Sequence, residues 1–160
     1  MNPSVLLDTD WVIDHFSGIA AITRRIEELR PAGLALSVIS LAELYEGVHY
    51  SRDPAKSRAV LSRFLSTVTI LPVDDAVCDI FGRERGKLRR QGTLIGDFDL
   101  LIAATCLRHN LGLGTNNRRH FEMVEGLRIV AVPDRLLWPR CRRRSPAVFL
   151  TPVSLAPPAC

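Results

Sequence analysis

Four places in the sequence set carboxylates or amides at the edge of a strand or the start of a helix: Asp8, Glu43, the pair Asp97 and Asp99, and the pair Asn116 and Asn117. Brought together, such groups repel. Each desolvated carboxylate takes up a proton unless a cation neutralises the cluster. Hard oxygen donors suit Mg²⁺, with Mn²⁺ as a substitute, and such an ion holds phosphate oxygens and lowers the pKa of a bound water. The chemistry this points to is hydrolysis of a phosphodiester. No histidine or cysteine pattern offers a softer alternative site.

Each of these residues also has a purely structural explanation. Glu43 stands three residues after Ser40 and completes a capping box there. Asp97 is placed to cap a helix over 98–108. Asp8 suits an Asx-turn, and Asn116 and Asn117 suit an ordinary turn. Only a joint arrangement separates the two readings.

Short apolar runs alternate with amphipathic stretches, the pattern of an α/β layer with a mostly parallel sheet. Val5-Leu6-Leu7 reads as a buried strand ending at Asp8. Residues 11–30 carry a helical period, broken at Ser17-Gly18 and stopped by Pro31 and Gly33. Leu34–Val38 is the second strand, and Ser40 opens a helix to about His49. Asp53-Pro54 starts another helix, Val68–Val73 is a strand, and Asp74 opens a long helix to about Gln91. The turn 92–96 leads into an apolar helix from Phe98 to about Arg108. Leu111–Thr115 is a strand, Asn117–Phe121 a short helical turn, and Arg128–Val132 the fifth strand. In such a sheet, ligands collect at the carboxyl ends of the strands, where Asp8 and Asn117 fall.

At 160 residues the chain fits one domain of about 1–137, followed by a tail, 138–160, that holds five of the ten prolines, four arginines and no acid. Without that tail the chain carries 17 basic and 17 acidic residues, so its net charge of +4 gives no support for nucleic-acid binding by the fold. The four scattered cysteines form no zinc or disulfide framework. No apolar run reaches the ~20 residues of a membrane span, and the N-terminus lacks a signal peptide, so a cytoplasmic location is expected.

Leu6-Leu7-Asp8-Thr9-Asp10 resembles the opening block of PIN-domain toxins of the VapC type. The stretch from Ser37 to Gly47 is similar to their second block, Ile95 to Ala104 to their third, and Gly114 to Phe121 to their fourth, with Val124-Glu125-Gly126-Leu127 following. The resemblance covers residues 4–132. It implies a three-layer α/β/α fold with about five strands and a Mg²⁺-dependent endoribonuclease. It further implies the toxin half of a toxin–antitoxin pair, with an RNA substrate, a small cognate antitoxin as inhibitor, and a homodimer. Carried over by position, Asp8, Glu43 and Asp99 are the metal ligands. Asn117 takes the fourth position, where many relatives carry Asp. An amide coordinates weakly and brings no charge, which disfavours a second metal at that corner, and Asp97 is near enough in sequence to supply the charge. Thr115 positions water or phosphate through its hydroxyl. Asp10 replaces the usual Asn and is expected to hold the loop after the first strand or to add local charge.

Arg118 and Arg119 are the nearest candidates for substrate positioning, with His120 as a possible general acid. The run Arg83, Arg85, Lys87, Arg89 and Arg90 reads as a solvated helix face with Glu84 interspersed, or alternatively as a phosphate-contacting rim. Trp11 and Phe16 read as core or dimer-interface residues, with base stacking as the alternative. Two other functions compete. Asp8-Thr9-Asp10-Trp11-Val12 satisfies the D-x-D-x-[TV] motif of haloacid-dehalogenase-like phosphatases, but neither lysine, Lys56 or Lys87, falls at a strand end. A catalytically decayed PIN-fold binding module is the other, and Asn117 is the residue that favours it.

Overall fold

The computed structural model describes residues 3–132. The tail at 138–160, and the last residues of the expected 1–137 domain, lie outside that range. The described chain runs β1 (Val5–Leu7), α1 (Thr9–Phe16), α2 (Ala20–Leu29), β2 (Leu34–Ser37), α3 (Val38–Tyr50), α4 (Pro54–Leu65), β3 (Thr69–Leu71), α5 (Asp75–Arg90), α6 (Asp97–His109), β4 (Gly112–Gly114), α7 (Arg118–Phe121) and β5 (Arg128–Val130). A single 3₁₀ turn, Arg30–Ala32, joins α2 to β2.

The five strands form one sheet in the order β3-β2-β1-β4-β5, and every pairing is parallel. β1 is central and fully buried, as are β2 and β4. Strands covered on both faces read as continuous apolar runs, which is how Val5-Leu6-Leu7 appears in the sequence. Alternation divides the core in two. Val5, Leu7, Leu34 and Leu36 face Trp11, Val12, Ile22, Ile26, Leu44 and Leu61 on one side. Leu6 and Ala35 face Leu100, Ile102, Ala103, Leu113 and Phe121 on the other. The result is a three-layer α/β/α sandwich with α1–α4 supplying one helical layer and α5–α7 the other.

The second helix boundary differs from the sequence reading. Ser37 ends β2 in an extended conformation and its Oγ accepts from the amides of Ile39 and Ser40, so α3 begins at Val38. The apolar Val38-Ile39 pair extends the strand pattern, but a serine cap ahead of it starts the helix first. Ser40 is therefore not the cap. It is buried, with no partner for its hydroxyl, and Glu43 is released from the capping-box explanation. Asp97 is likewise not the cap of its helix. Gly96 takes that place and Asp97 is the first helical residue.

The basic face of α5 also differs. Glu84 is only 3 % exposed, and it accepts from Arg83 (3.0 Å) and Lys87 (3.2 Å). Arg85 turns to the carbonyl of Ile95 and the carboxylate of Asp97, and Lys87 reaches Glu125 at 3.3 Å. Arg85 and Lys87 are thus tied to segments that follow α5, while Arg83, Arg89 and Arg90 stay exposed, as a solvated face requires.

Candidate active site

The chain passes from β1 to β2 on one side of the sheet and returns to β4 on the other, so the strand order reverses at β1. Crossovers leave a crevice at the carboxyl ends of strands where the order reverses. Asp8 is the first residue beyond β1, and its amide is tied to the carbonyl of Gly114 at the end of β4 (2.9 Å). Glu43 projects from the second turn of α3, just after β2. Asp99 lies in the first turn of α6, and Thr115 follows β4.

These side chains meet. Asp8 caps α1, with Oδ1 accepting from the Thr9 amide (2.8 Å) and Oδ2 from the Thr115 hydroxyl (2.8 Å). Two hydrogen bonds would normally hold a carboxyl low. Burial outweighs them, and with the negative charges of Asp99 and Glu43 it pushes the Asp8 carboxyl up to about 6. Burial also raises Glu43, opposed by the Thr9 hydroxyl at 2.5 Å and reinforced by Asp99. Asp8, Glu43 and Asp99, remote in sequence, thus lie within one another's electrostatic reach.

Asp10, in the first turn of α1, adds a fourth carboxylate. Its Oδ2 accepts from the amide of Asn116 (2.9 Å) and approaches the Thr115 hydroxyl (3.5 Å), while Oδ1 is buried with no partner. Burial and the neighbouring charge of Asp8 hold it well above the ordinary carboxylate range.

A divalent cation fits this chemistry. The donors are hard oxygens, burial and then mutual repulsion raise the carboxyls of Asp8, Asp10 and Glu43, and Asp10 Oδ1 is buried with no partner. Among the described residues no three Asp, Glu, His or Cys side chains are drawn together closely enough to hold a metal ion directly. Mg²⁺ does not demand direct contact from all three acids, because it keeps several waters through which a carboxylate can bind it.

The remaining sequence candidates divide. Thr115 is buried against Asp8, and its Oγ1 also accepts from the amide of Asn117 (3.0 Å). Asn117 precedes α7 without using its side chain as a cap. Arg118 pairs with Glu122 (3.2 Å), while Arg119 is exposed and has no ion-pair partner among the described residues. His120 Nδ1 stands 3.3 Å from Asp99 Oδ2, which makes it a neighbour of the acid cluster. Asp97 points away: its side chain is 77 % exposed and ion-paired with Arg85. Trp11 is fully buried, and Phe16 packs edge-on against Phe64 at 5.3 Å, so both serve the core.

Thr9 was not singled out by residue type, whereas Asn116 stood in the sequence among the candidate amides after the fourth strand. Thr9 lies inside the first sequence block, beside Asp8, yet nothing in its own sequence context links it to Glu43. Thr9→Val keeps the shape and removes the hydroxyl. It is expected to lower the catalytic rate at this cleft about ten- to hundredfold. Losing the bond that stabilises ionised Glu43 raises its pKa further, so the acid limb of the pH–rate profile moves to higher pH. An unchanged profile would remove Thr9 from the site.

An all-parallel α/β/α sandwich with clustered carboxylates at its switch point has the build of a small α/β nuclease. The family model described as "PIN domain" matches residues 5–127, and the chain belongs to that family. It is 35 % identical over 123 residues to the tRNA(fMet)-specific endonuclease VapC of Shigella flexneri, covering 77 % of this chain and 93 % of that protein. It is 35 % identical over 127 residues to Ribonuclease VapC1 of Methanocaldococcus jannaschii, covering 78 % and 85 %. Among solved structures, DNA-bound VapBC from Salmonella typhimurium superposes with a TM-score of 0.75 at 31 % identity, over 80 % of this chain and 97 % of the matched one. Family membership displaces the dehalogenase-like phosphatase reading of Asp8 and Asp10.

Proposed function

We propose that this chain is the toxin of a toxin–antitoxin pair and cleaves RNA with Mg²⁺, or Mn²⁺ in its place, at the cleft of Asp8, Glu43 and Asp99. The observation that carries the reading is the mutual electrostatic contact of these acids from three separate elements at the sheet's switch point. Ribonuclease relatives and VapBC complexes of the same fold support it.

Asp8, Glu43 and Asp99 would hold the ion, which when bound supplies Lewis acidity toward a phosphodiester oxygen and lowers the pKa of water. The chain's own groups set the geometry. Thr115 fixes Asp8 Oδ2, Thr9 fixes Glu43 Oε2, and His120 sits against Asp99 Oδ2. Asn117 offers a neutral amide at the fourth corner, consistent with one ion in preference to two. Arg119, with Arg118 beside it, is free to meet RNA phosphates at the rim. A small antitoxin is the expected inhibitor and a homodimer the expected assembly, acting in the cytoplasm. No helix among the described residues is long and apolar enough to cross a membrane.

The test is incubation of folded, antitoxin-free protein with total cellular RNA and either ion, followed by sequencing of the fragment ends. Discrete fragments that vanish with EDTA are expected, with transfer RNA the first class to examine because two relatives are named for tRNA(fMet). Absence of cleavage with either ion would favour the decayed binding module. Arg119→Ala is expected to weaken RNA binding and to reduce the slope of log affinity against log salt by about 0.7, one single-strand phosphate contact. An unaltered slope would place Arg119 off the RNA path.

A further inference from the structure

We infer that Asn116 is a positioning residue that clamps the turn after β4 onto α1 and so sets where Thr115 and Asn117 stand relative to Asp8. The inference rests on the metal-site reading above.

Asn116 is exposed, yet all three of its polar groups on this side of the turn are engaged by one helix. Its Oδ1 accepts from the indole Nε1 of Trp11 (3.1 Å), its Nδ2 donates to Asp14 Oδ2 (2.8 Å), and its backbone amide donates to Asp10 Oδ2 (2.9 Å). The indole is itself closely packed. It is fully buried, and its six-membered ring lies so close to Gly114 that a Cβ there would fall 2.7 Å from Cε3. One aromatic side chain therefore bears on the end of β4 with its six-membered ring and holds the next turn with its N–H.

The neighbours of Asn116 carry the consequence. Thr115 donates to Asp8 and accepts from the Asn117 amide, so a rotation of this turn would move the hydroxyl away from Asp8 and shift the fourth corner together. Residues that orient ligating groups without touching the ion change affinity or activity by about ten- to hundredfold when lost, and a misplacement of ~1 Å alone can cost about a hundredfold in rate. Asn116 touches none of Asp8, Glu43 or Asp99 by any hydrogen bond in the structure, which makes it a positioning group and not a ligand.

The Asn116–Asp14 bond is polar in one direction, amide to carboxylate, and can be reversed. Asn116→Asp places a carboxylate against Asp14, Asp14→Asn removes the acceptor charge, and the double variant Asn116→Asp/Asp14→Asn restores an amide-to-carboxylate bond at constant net charge. Each full-length variant is titrated with Mn²⁺ by calorimetry and assayed for kcat on RNA, with thermal unfolding of the metal-free protein as the measure of structure. Asn116→Asp is expected to lose about tenfold in Mn²⁺ affinity and in kcat, and the double variant to recover most of both. Asn116→Ala should show the same loss while remaining folded at the assay temperature, with a melting temperature lowered by a few degrees because the buried indole N–H loses its acceptor. Retention of wild-type Mn²⁺ affinity and kcat by Asn116→Ala and Asn116→Asp would overturn the clamp. A wild-type chain that binds no Mn²⁺ would overturn the metal-site reading itself, and is seen before any variant is made.

Discussion

Asp8→Asn is expected to abolish RNA cleavage, with a loss of a thousandfold or more, and at the same time to make the metal-free protein more stable at neutral pH. The two effects have one origin. The Asp8 carboxyl titrates near 6 in the folded chain against 3.8 as a free side chain. Between those values the folded state holds the proton more tightly than the unfolded state, so folding stability falls as pH rises from about 4 to about 6 and stays lowered above it. A shift of this size corresponds to about 2–3 kcal/mol at pH 7. Asparagine removes that penalty and fits the site. Its carbonyl accepts from the Thr9 amide, and its amino group faces the Thr115 hydroxyl, which has a lone pair to offer. Thermal melts of metal-free protein across pH 4.5–7.5 should slope downward for the wild type and less steeply for Asp8→Asn, in which burial still raises Asp10 and Glu43. Mn²⁺ should raise the wild-type melt at pH 7 and leave the variant unmoved, because only a folded site binds it. A variant less stable than wild type at pH 7, or one that still cleaves, would contradict this account of Asp8.

Gly114→Ala is the second large effect. The added methyl would lie 2.7 to 3.2 Å from three atoms of the Trp11 indole, which is enclosed on all sides. Overpacking of a closed core typically costs 1–3 kcal/mol. Here displacement of the ring also breaks its bond to Asn116, so ~3 kcal/mol is expected, measured by urea denaturation. Gly112 is the internal comparison. A methyl there meets Val130 Cγ2 at 2.8 Å, but Val130 belongs to the edge strand β5, is partly exposed and has room to rotate. Gly112→Ala should therefore cost ~1 kcal/mol. Equal costs at the two positions would mean that the indole is not fixed as described.

The fold was legible in the sequence because its strongest elements obey local rules. Val5-Leu6-Leu7, Leu34–Ser37 and Gly112–Gly114 are apolar runs closed by polar residues, and α5 opens at an aspartate cap, Asp74, whose carboxylate accepts from the Val77 amide. The boundary at Ser37 was misplaced because the β-branched residues after it extend the strand pattern, whereas the hydroxyl before them starts the helix. The acids of the site were legible as types at strand and helix ends, and as blocks similar to a known family. Their partners were not. No period relates Thr9 to Glu43 or Trp11 to Asn116, since those contacts exist only once β1 and β4 pair and α3 swings back across the sheet. Glu84 was misread for the same reason. The acid on a helical face read as solvated is buried, although Arg83, Arg89 and Arg90 on the same helix do stay exposed.

The claim on which the rest depends is that Asp8, Glu43 and Asp99 together hold a divalent cation. Calorimetric titration of Mn²⁺ into the wild-type chain and into Asp99→Asn, at pH 6 and at pH 7.5, tests it directly. The account predicts binding by the wild type at both values, with proton release at pH 6 because Asp8 is partly protonated there and must ionise to ligate, and loss of binding in Asp99→Asn. Equal binding by wild type and Asp99→Asn, or no binding by a folded wild type, would contradict it.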